Sequence, residues 1–208
     1  MYDIIIPSNK PIDLLRLQVA AMRKHDIAEK HYIPTGFNVS ASVNRNLGLH
    51  EARKTENEFV IMIDDDIGGF YTGWQKDLCA PLEDPTVRLT SARLINADGT
   101  LSPMQGTPED LTQSVLYLPA CNVFGKRFPI VLSAAIAFRK KDVIDMAFNM
   151  QFIGSGYEDT YFCWELFNRY PDMQIVVNND CKLIHYHEMK NQNPNNAYNE
   201  KVFKELIA

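Results

Sequence analysis

The sequence lacks the long apolar runs that would cross a membrane. No apolar stretch approaches the roughly 20 residues that a bilayer-spanning helix needs. The first residues, MYDIIIP, lead directly into a strand-like segment rather than into the basic and then apolar regions of a signal peptide. We therefore expect a cytoplasmic protein without a transmembrane segment.

Cysteine is scarce as well. The four cysteines have no CxxC spacing, and two of them lie inside apolar segments. This pattern favours buried free thiols over disulfides or a zinc site. The four residues are Cys79, Cys121, Cys163 and Cys181.

Positive charge is in short supply too. The 208-residue chain carries 21 Lys and Arg against 26 Asp and Glu, for a formal net charge of −5, which disfavours a broad nucleic-acid backbone footprint. Two short basic clusters, Lys126-Arg127 and the RKK run at 139–141, are expected to lie on solvated faces. With 46% hydrophobic residues, the chain can bury the core of one domain.

The order of the apolar segments predicts an α/β fold. YDIIIP indicates a short strand ended by Pro7, and Pro11 lies where a helix can begin. A loop and a second helix follow, with Ser40 or Ser42 as the cap. The next apolar run, FVIMI, does not alternate, which is typical of a strand covered on both faces in a parallel sheet. The second helix is expected to bury Leu47, Leu49 and Ala52.

The second half of the chain continues the pattern. Residues 87–101 predict two strands and a hairpin turn at Asp98-Gly99. The segment 102–129, rich in Pro and Gly, is expected to be a loop region, and 131–148 predicts a strand followed by a helix. A Gly-rich turn then precedes the helix that begins near Glu158, and the last strand carries His185 and His187 on one face.

Three consecutive carboxylates, Asp64 to Asp66, come directly after the FVIMI strand. In open α/β sheets, ligands bind in the crevice beyond the carboxyl ends of the strands. A helix cap followed by solvated acids is the simpler alternative, but three adjacent carboxylates repel one another and are costly without a cation. Mg²⁺ and Mn²⁺ prefer oxygen ligands and often complete their shell with substrate phosphates. The cluster therefore predicts a metal that carries a phosphorylated ligand.

A second acidic motif, Glu158-Asp159, opens a predicted helix. Acids at this place are stabilised by the helix dipole whatever else they do. The pair is therefore open to two interpretations, a structural helix start or a catalytic carboxylate.

The collinear order of these motifs resembles nucleotide-sugar glycosyltransferases of the GT-A fold, close to glycosyltransferase family 2 and its rhamnosyltransferase-like branch. The resemblance covers roughly Tyr2 to Glu188. It implies a single Rossmann-like domain at 1–188, with a mostly parallel central sheet flanked by helices. The nucleotide-sugar half would span about 1–100 and the acceptor half about 101–188, before a polar extension with a short helix at 189–208. The segments that carry it are IIIPSNK, SASVNRNLGLHEA, VIMIDDDI, SARLINADGTL, SAAIAFRKKDVI, GYEDTYFCWELFNR and CKLIHYHE.

The resemblance also implies roles for individual residues. Asp64 and Asp66 match the two acids of the family's DxD motif, with Asp65 between them as a further donor-side residue. Asp66 would ligate Mn²⁺ or Mg²⁺ with His185, and His187 is a close alternative. Asp64 would reach the ribose, or the metal through water.

The remaining site residues are implied on the same basis. Asp159 would be the general base of an inverting transfer, and Glu158 would orient sugar or acceptor hydroxyls. The donor nucleotide would lie near the end of the first strand and beside the family's RN pair. These donor-side residues are Pro7, Ser8, Asn9, Arg45 and Asn46.

The implied activity is transfer of a sugar from a nucleoside-diphosphate sugar, with a UDP-sugar favoured, to a hydroxyl acceptor. The acceptor is a glycan, a lipid-linked sugar, a protein or, disfavoured by the acidity of the chain, a modified nucleic-acid base. A sugar nucleotidyltransferase and a catalytically inactive nucleotide-sugar-binding protein are the alternatives. The short segment at 26–42 indicates a trimmed nucleotide-binding half.

Overall fold

The fold is built on an eight-stranded sheet, described by a computed structural model for residues 2–8, 12–25, 30–32, 39–102, 105, 107–186 and 194–208. The strands are β1 Tyr2–Ile5, β2 Lys30–Tyr32, β3 Phe59–Ile63, β4 Ile67–Gly68, β5 Val87–Asn96, β6 Val115–Tyr117, β7 Cys121–Val123, β8 Lys126–Phe128, β9 Ala135–Arg139 and β10 Gln174–His185. The α-helices in these residues are α1 Ile12–Arg23, α2 Ala41–Ala52, α3 Trp74–Cys79, α4 Glu158–Arg169 and α5 Asn196–Ile207.

The strands of the sheet follow the order β2-β1-β3-β9-β5-β10-β4, with β6 also paired to β10. Strands β1, β2, β3, β5 and β10 run in one direction, and β4, β6 and β9 run against them. The predicted α/β fold with a mostly parallel central sheet is therefore confirmed. Strands β7 and β8 form a separate two-stranded hairpin.

Both faces of the sheet are covered at its centre, as the non-alternating FVIMI run predicts. In β3, Ile61 and Ile63 pack into one apolar cluster while Val60 and Met62 pack into the other. Helix α5 joins the second cluster through Val202, Phe203 and Ile207, all of them buried. The C-terminal helix therefore packs into the core.

Helix α2 begins where the sequence predicts. The Ser40 hydroxyl accepts a hydrogen bond from the Val43 amide at 3.3 Å, which makes Ser40 the N-cap. Leu49 and Ala52 are buried as expected, but Leu47 is half exposed, so its predicted burial is wrong. Leu47 lies on the solvent side because the residue after it, Gly48, is the one that packs on the sheet.

The segment after β9 differs from the predicted helix. A single 3-10 turn at Lys140–Asp142 takes its place, because Asp142 accepts hydrogen bonds from Arg139 Nε and Arg88 Nη1, both at 2.8 Å. Arg139 and Lys140 are buried, so the expectation of a solvated basic face is wrong for them. Lys140 Nζ is 2.9 Å from the buried carboxylate of Asp3.

Two further expectations change in detail. Residues 87–96 form one long strand, β5, instead of two, and beyond the turn at Asp98-Gly99 a single bridge joins Leu101 to Ile95. The segment 102–129 is more ordered than a loop because it contains β6, β7 and β8.

The four cysteines are free thiols, and all except Cys121 are buried. Within the described ranges, no helix has the length and apolarity that a membrane span requires.

A tight contact between α2 and β1 yields the first prediction. A methyl group on Gly48 would overlap Cγ2 of Ile5 and lie 3.1 Å from its Cγ1. Overpacking of this kind costs about 1–3 kcal/mol, and the better helix propensity of alanine offsets about 1 kcal/mol. Since the added methyl group meets three atoms of Ile5, the overlap is at the severe end of this range, and we expect Gly48→Ala to lower the free energy of unfolding by about 2 kcal/mol in urea denaturation.

Leu47→Ala is the matched control on the same helix, because its side chain is half exposed. That variant should stay within about 0.5 kcal/mol of wild type. A Gly48→Ala protein as stable as wild type would contradict the close packing of α2 on β1.

Candidate functional site

The predicted site residues lie along the edge of the sheet where its parallel strands end. Strand β1 ends shortly before Pro7 and Ser8, β3 ends at Ile63, directly before Asp64, and β10 ends at His185. Because these strands run in one direction, their carboxyl ends share this edge. The location agrees with the crevice expected for a ligand.

The acidic cluster Asp64–Asp66 forms a tight turn between β3 and β4. The Asp64 amide donates to the Ala134 carbonyl at 2.8 Å, and the Ile67 amide donates to the Asp64 carbonyl at 3.2 Å. The side chain of Gln18, on α1, donates to the carbonyls of Asp64 and Ile67 at 3.0 and 3.1 Å. Hydrogen bonds to the backbone therefore fix the turn, so the three carboxylate groups are available for other contacts.

Each carboxylate of the cluster has a different neighbour. Asp64 Oδ1 accepts from Arg45 Nη2 at 3.2 Å, and Asp65 Oδ2 accepts from the hydroxyl of Ser8. Asp66 Oδ1 lies 3.4 Å from His185 Nε2. Arg45 is the one fixed cation among these three partners, so it offsets part of the mutual repulsion of the acids.

Strand pairing explains how His185 reaches Asp66. Strand β4 runs antiparallel to the end of β10, with Ile67 opposite His185. The Tyr186 amide also donates to the Asp66 carbonyl at 2.8 Å. Because Ile67 follows Asp66 directly, this pairing brings the histidine beside the carboxylate.

The Asp66–His185 pair fits a divalent ion that takes its remaining ligands from a substrate. Two donors at neighbouring corners of an octahedron with bonds of about 2.1 Å are about 3 Å apart, close to the 3.4 Å found. In the described ranges, no group of three or more metal-ligating side chains forms. Mg²⁺ commonly binds through one or two carboxylates plus phosphates, so two protein ligands suffice. His187 lies outside the described residues, as does Asn9.

Arg45 joins the two acidic motifs. Its buried guanidinium donates from Nη1 to Glu158 Oε1 at 2.7 Å and from Nη2 to Asp64 Oδ1 at 3.2 Å. It also lies 5.3 Å from the centre of the Phe148 ring. Burial alone would lower the pKa of Arg45, but the carboxylates of Asp64, Glu158 and Asp159 outweigh burial and raise that pKa. Arg45 therefore remains a cation.

The two acids at the start of α4 have different surroundings. Glu158 is buried, and its Oε2 has no hydrogen-bond partner in the part of the chain that the structure describes. Asp159 is partly exposed and accepts hydrogen bonds from the amides of Thr160 at 2.7 Å and Ser133 at 3.4 Å. Desolvation, then the charge of Glu158, raises the pKa of Asp159 to about 6, although Arg45 acts to lower it.

The pKa of Asp64, in the acidic cluster, is raised as well. Burial raises the pKa of Asp64, and the charges of Asp66 and Asp65 add to the effect, while Arg45 opposes it. Asp64 therefore ionises less readily than an exposed aspartate, and Arg45 is the neighbour that favours its charged form.

The asparagines around Arg45 hold neighbouring segments. The side chain of Asn46 exchanges two hydrogen bonds with the backbone of Phe148, at 2.8 and 2.7 Å, and so braces that segment. Asn44, which sequence reasoning missed, donates to the Ser8 carbonyl at 3.4 Å. A signal for it exists, because the run SASVNRN is unusually polar for a helix that packs on a buried strand.

Sequence comparison finds no counterpart: no protein-family model and no curated protein matches the chain. Solved structures do match. GalNAc-T7, crystallised with UDP, GalNAc and Mn²⁺, has a TM-score of 0.64 at 11% identity over 98% of this chain. S. aureus TarS has a TM-score of 0.62 at 15% identity over 89% of this chain, and A197 from STIV 0.54 at 14% over 92%.

The lengths of these structures differ from that of the present chain. The alignments cover 47% of the GalNAc-T7 chain and 36% of the TarS chain, so the present chain spans about half or less of either. The alignment with A197 covers 99% of that protein. The three structures are glycosyltransferases with the GT-A fold. At these identities the likeness concerns the fold, and this chain has the GT-A fold.

Proposed function

We propose that this protein is a metal-dependent glycosyltransferase that moves a sugar from a nucleoside-diphosphate sugar to a hydroxyl acceptor with inversion at the anomeric carbon. The observation that carries the proposal is the placement of the Asp66–His185 pair and Asp159 at one edge of the sheet, linked through Arg45 and Glu158. The GT-A fold supports it, and GalNAc-T7 was crystallised with UDP and Mn²⁺. A cytoplasmic location and a catalytic domain at 1–188 belong to the same proposal.

On the donor side, Asp66 and His185 would hold Mn²⁺ or Mg²⁺. The bound ion would neutralise the charge that develops on the diphosphate as the glycosidic bond breaks. Ser8 and Asp65, already hydrogen-bonded to each other, would meet the nucleoside of a UDP-sugar at the end of β1. Asp64 would act through Arg45, since its carboxylate is engaged there.

On the acceptor side, Asp159 would be the general base. It is partly exposed, so an acceptor hydroxyl can reach it, and a pKa of about 6 suits a base that works near neutral pH. The Asp159 carboxylate would take the hydroxyl proton as the acceptor oxygen attacks the anomeric carbon. The acceptor itself would be a glycan, a lipid-linked sugar, a protein or a modified base.

Glu158 would support the transfer from its buried position. One oxygen holds Arg45, and the other, Oε2, would accept from a sugar hydroxyl. Ser133, whose amide donates to Asp159, also has a buried hydroxyl without a hydrogen-bond partner among the described residues. Together they offer polar atoms to a sugar ring, as a transferase requires.

A sugar nucleotidyltransferase is the alternative with similar cofactor chemistry. Such enzymes usually hold the phosphates with a Gly-rich basic loop near the N-terminus. The corresponding stretch here, IIIPSNKPIDLL at 4–15, contains no glycine. The fold neighbours do not favour this alternative either.

The activity is tested by incubating the protein with a panel of UDP-, GDP- and dTDP-sugars and measuring release of the nucleoside diphosphate. We expect release from at least one donor with Mn²⁺ or Mg²⁺ and none in EDTA. Release of pyrophosphate from a sugar phosphate and a nucleoside triphosphate would favour the nucleotidyltransferase. Nucleotide binding without turnover of any donor would indicate an inactive binding protein.

The metal ligands are tested by thermal shifts with UDP and Mn²⁺. Asp66→Ala should abolish the stabilisation that UDP gives only in the presence of the metal, and His185→Ala should weaken it, because each removes one protein ligand. Asp172→Ala, which removes an exposed acid before the start of β10, is the control and should behave as wild type. A UDP shift in Asp66→Ala as large as in wild type, or unchanged in EDTA, would refute the assignment.

The base is tested by Asp159→Asn. The amide keeps the shape and one oxygen that can accept from the Thr160 amide, but it removes the basicity, so kcat should fall by about 10²–10⁴ while the affinity for UDP stays nearly constant. If Glu158-Asp159 only caps the helix, asparagine can replace Asp159 with little loss of activity. Asp172→Asn is the isosteric control.

The pH dependence of the wild-type enzyme gives an independent check. A base acts only when unprotonated, and the pKa of Asp159 is raised to about 6. The rate should therefore hold above that pH and fall about tenfold per unit below it. An acid limb that persists in Asp159→Asn would assign the titration to another group.

A further inference from the structure

The segment Ile153–Tyr157 leads directly into Glu158-Asp159 and has an unusual backbone. Gly154 and Gly156 have φ angles of +66° and +105°, and Tyr157 has a φ of +68°. A tyrosine rarely adopts this left-handed conformation, because its Cβ crowds the backbone. Contacts with other segments must therefore hold the turn in place.

Asn199, on α5, supplies many of those contacts. Its side chain is fully buried, and Oδ1 accepts a hydrogen bond from the Ile153 amide at 2.9 Å. Nδ2 lies within hydrogen-bond distance of the carbonyls of Ile153, Ser155 and Gly156, at 2.9, 3.1 and 3.0 Å. One amide side chain thus provides hydrogen-bond partners for most of the backbone polar groups of the turn.

Aromatic contacts from α5 and the β7–β8 hairpin hold Tyr157 as well. The ring of Tyr157 is 5.5 Å from Phe203 and 6.2 Å from Phe124, between ring centres. Its hydroxyl donates to Glu200 at 3.4 Å. Because Phe203 is fully buried, α5 is anchored in the core where it meets the turn.

The turn also contacts the helix that carries Arg45. The Ala41 amide, at the start of α2, donates to the Gly154 carbonyl at 2.7 Å. The turn therefore lies between α2 and α5 and leads into α4, and its position sets where Glu158 meets Arg45.

We propose that Asn199 is a positioning residue for sugar transfer: by holding the backbone at 153–156 it places Glu158 and Asp159 for the reaction. The proposal rests on the proposed function, since it assigns the C-terminal helix a part in the same site. Asn199 touches neither donor nor acceptor. Its effect is on the orientation of the acids at the start of α4.

Steady-state kinetics of Asn199→Ala test this role. Misplacing a base by about an ångström lowers the rate by up to about 100-fold, so kcat should fall about 10- to 100-fold. The affinity for UDP with Mn²⁺ should change less than about twofold, because Ser8, Asp65, Asp66 and His185, which would meet UDP and the metal, lie at the carboxyl ends of β1, β3 and β10. Asn196→Ala, the same substitution at an exposed position of α5, should leave both parameters unchanged.

Two readouts separate positioning from stability. Hydrogen exchange of the Ile153 amide should speed up in Asn199→Ala while the amides of α5 stay protected. The acid limb of the rate profile should move below that of wild type, because a displaced Asp159 loses part of its burial and of the influence of the Glu158 charge, the two largest causes of its raised pKa. Wild-type kcat in a folded Asn199→Ala protein would overturn the proposal.

A conservative variant covers the case in which Asn199→Ala does not fold. Asn199→Asp keeps the volume and the acceptor for the Ile153 amide but loses the donated bonds, so it should show the same fall in kcat with intact UDP binding. If neither variant folds, Asn199 contributes to stability alone and the proposal fails. If wild type turns over no donor, the proposed function fails, while exchange at Ile153 still reports whether Asn199 holds the turn.

Discussion

The site depends on one buried cation. Arg45 and Glu158 are 113 positions apart in sequence, yet the guanidinium bonds to Glu158 and to Asp64 at once. Both Arg45 and Glu158 are almost wholly removed from solvent, so loss of Arg45 would leave Glu158 as an unpaired buried charge, at a cost of about 3–5 kcal/mol. The ion pairs therefore fix α4 against the end of β3. They also engage Asp64, which leaves Asp66 as the acid of the cluster that faces His185.

The sheet positions the residues around Arg45. The parallel strands bring Ser8, the acidic cluster and His185 to one edge, and β4 turns back along β10 to bring the last two together. Helix α4 adds Glu158 and Asp159, the acids proposed to act on the acceptor. The turn before α4 is held from outside by Asn199, so precision at the site comes from packed elements rather than from the loop's own sequence.

Local patterns in the sequence predict those parts of the site that depend only on residues close together in the sequence. The buried run FVIMI, the three carboxylates that follow it and the Ser40 cap are recognisable because each follows from chain geometry over a few positions. The burial of Arg139 and Lys140, the partner of Asn46 and the role of Asn199 were not predictable in this way. Each depends on a contact between segments distant in sequence, and hydrophobic periodicity carries no information about such polar pairs. The predicted helix after β9 fails for the same reason, since Arg88 holds Asp142 from another strand.

The measurement that tests the assignment most directly is an anomalous difference map from crystals grown with Mn²⁺ and UDP. A glycosyltransferase site of the proposed kind predicts one manganese peak between Asp66 and His185, in contact with both phosphates of UDP, with Arg45 still bridging Asp64 and Glu158. A nucleotide bound elsewhere, or a manganese ion that contacts neither Asp66 nor His185, would contradict it.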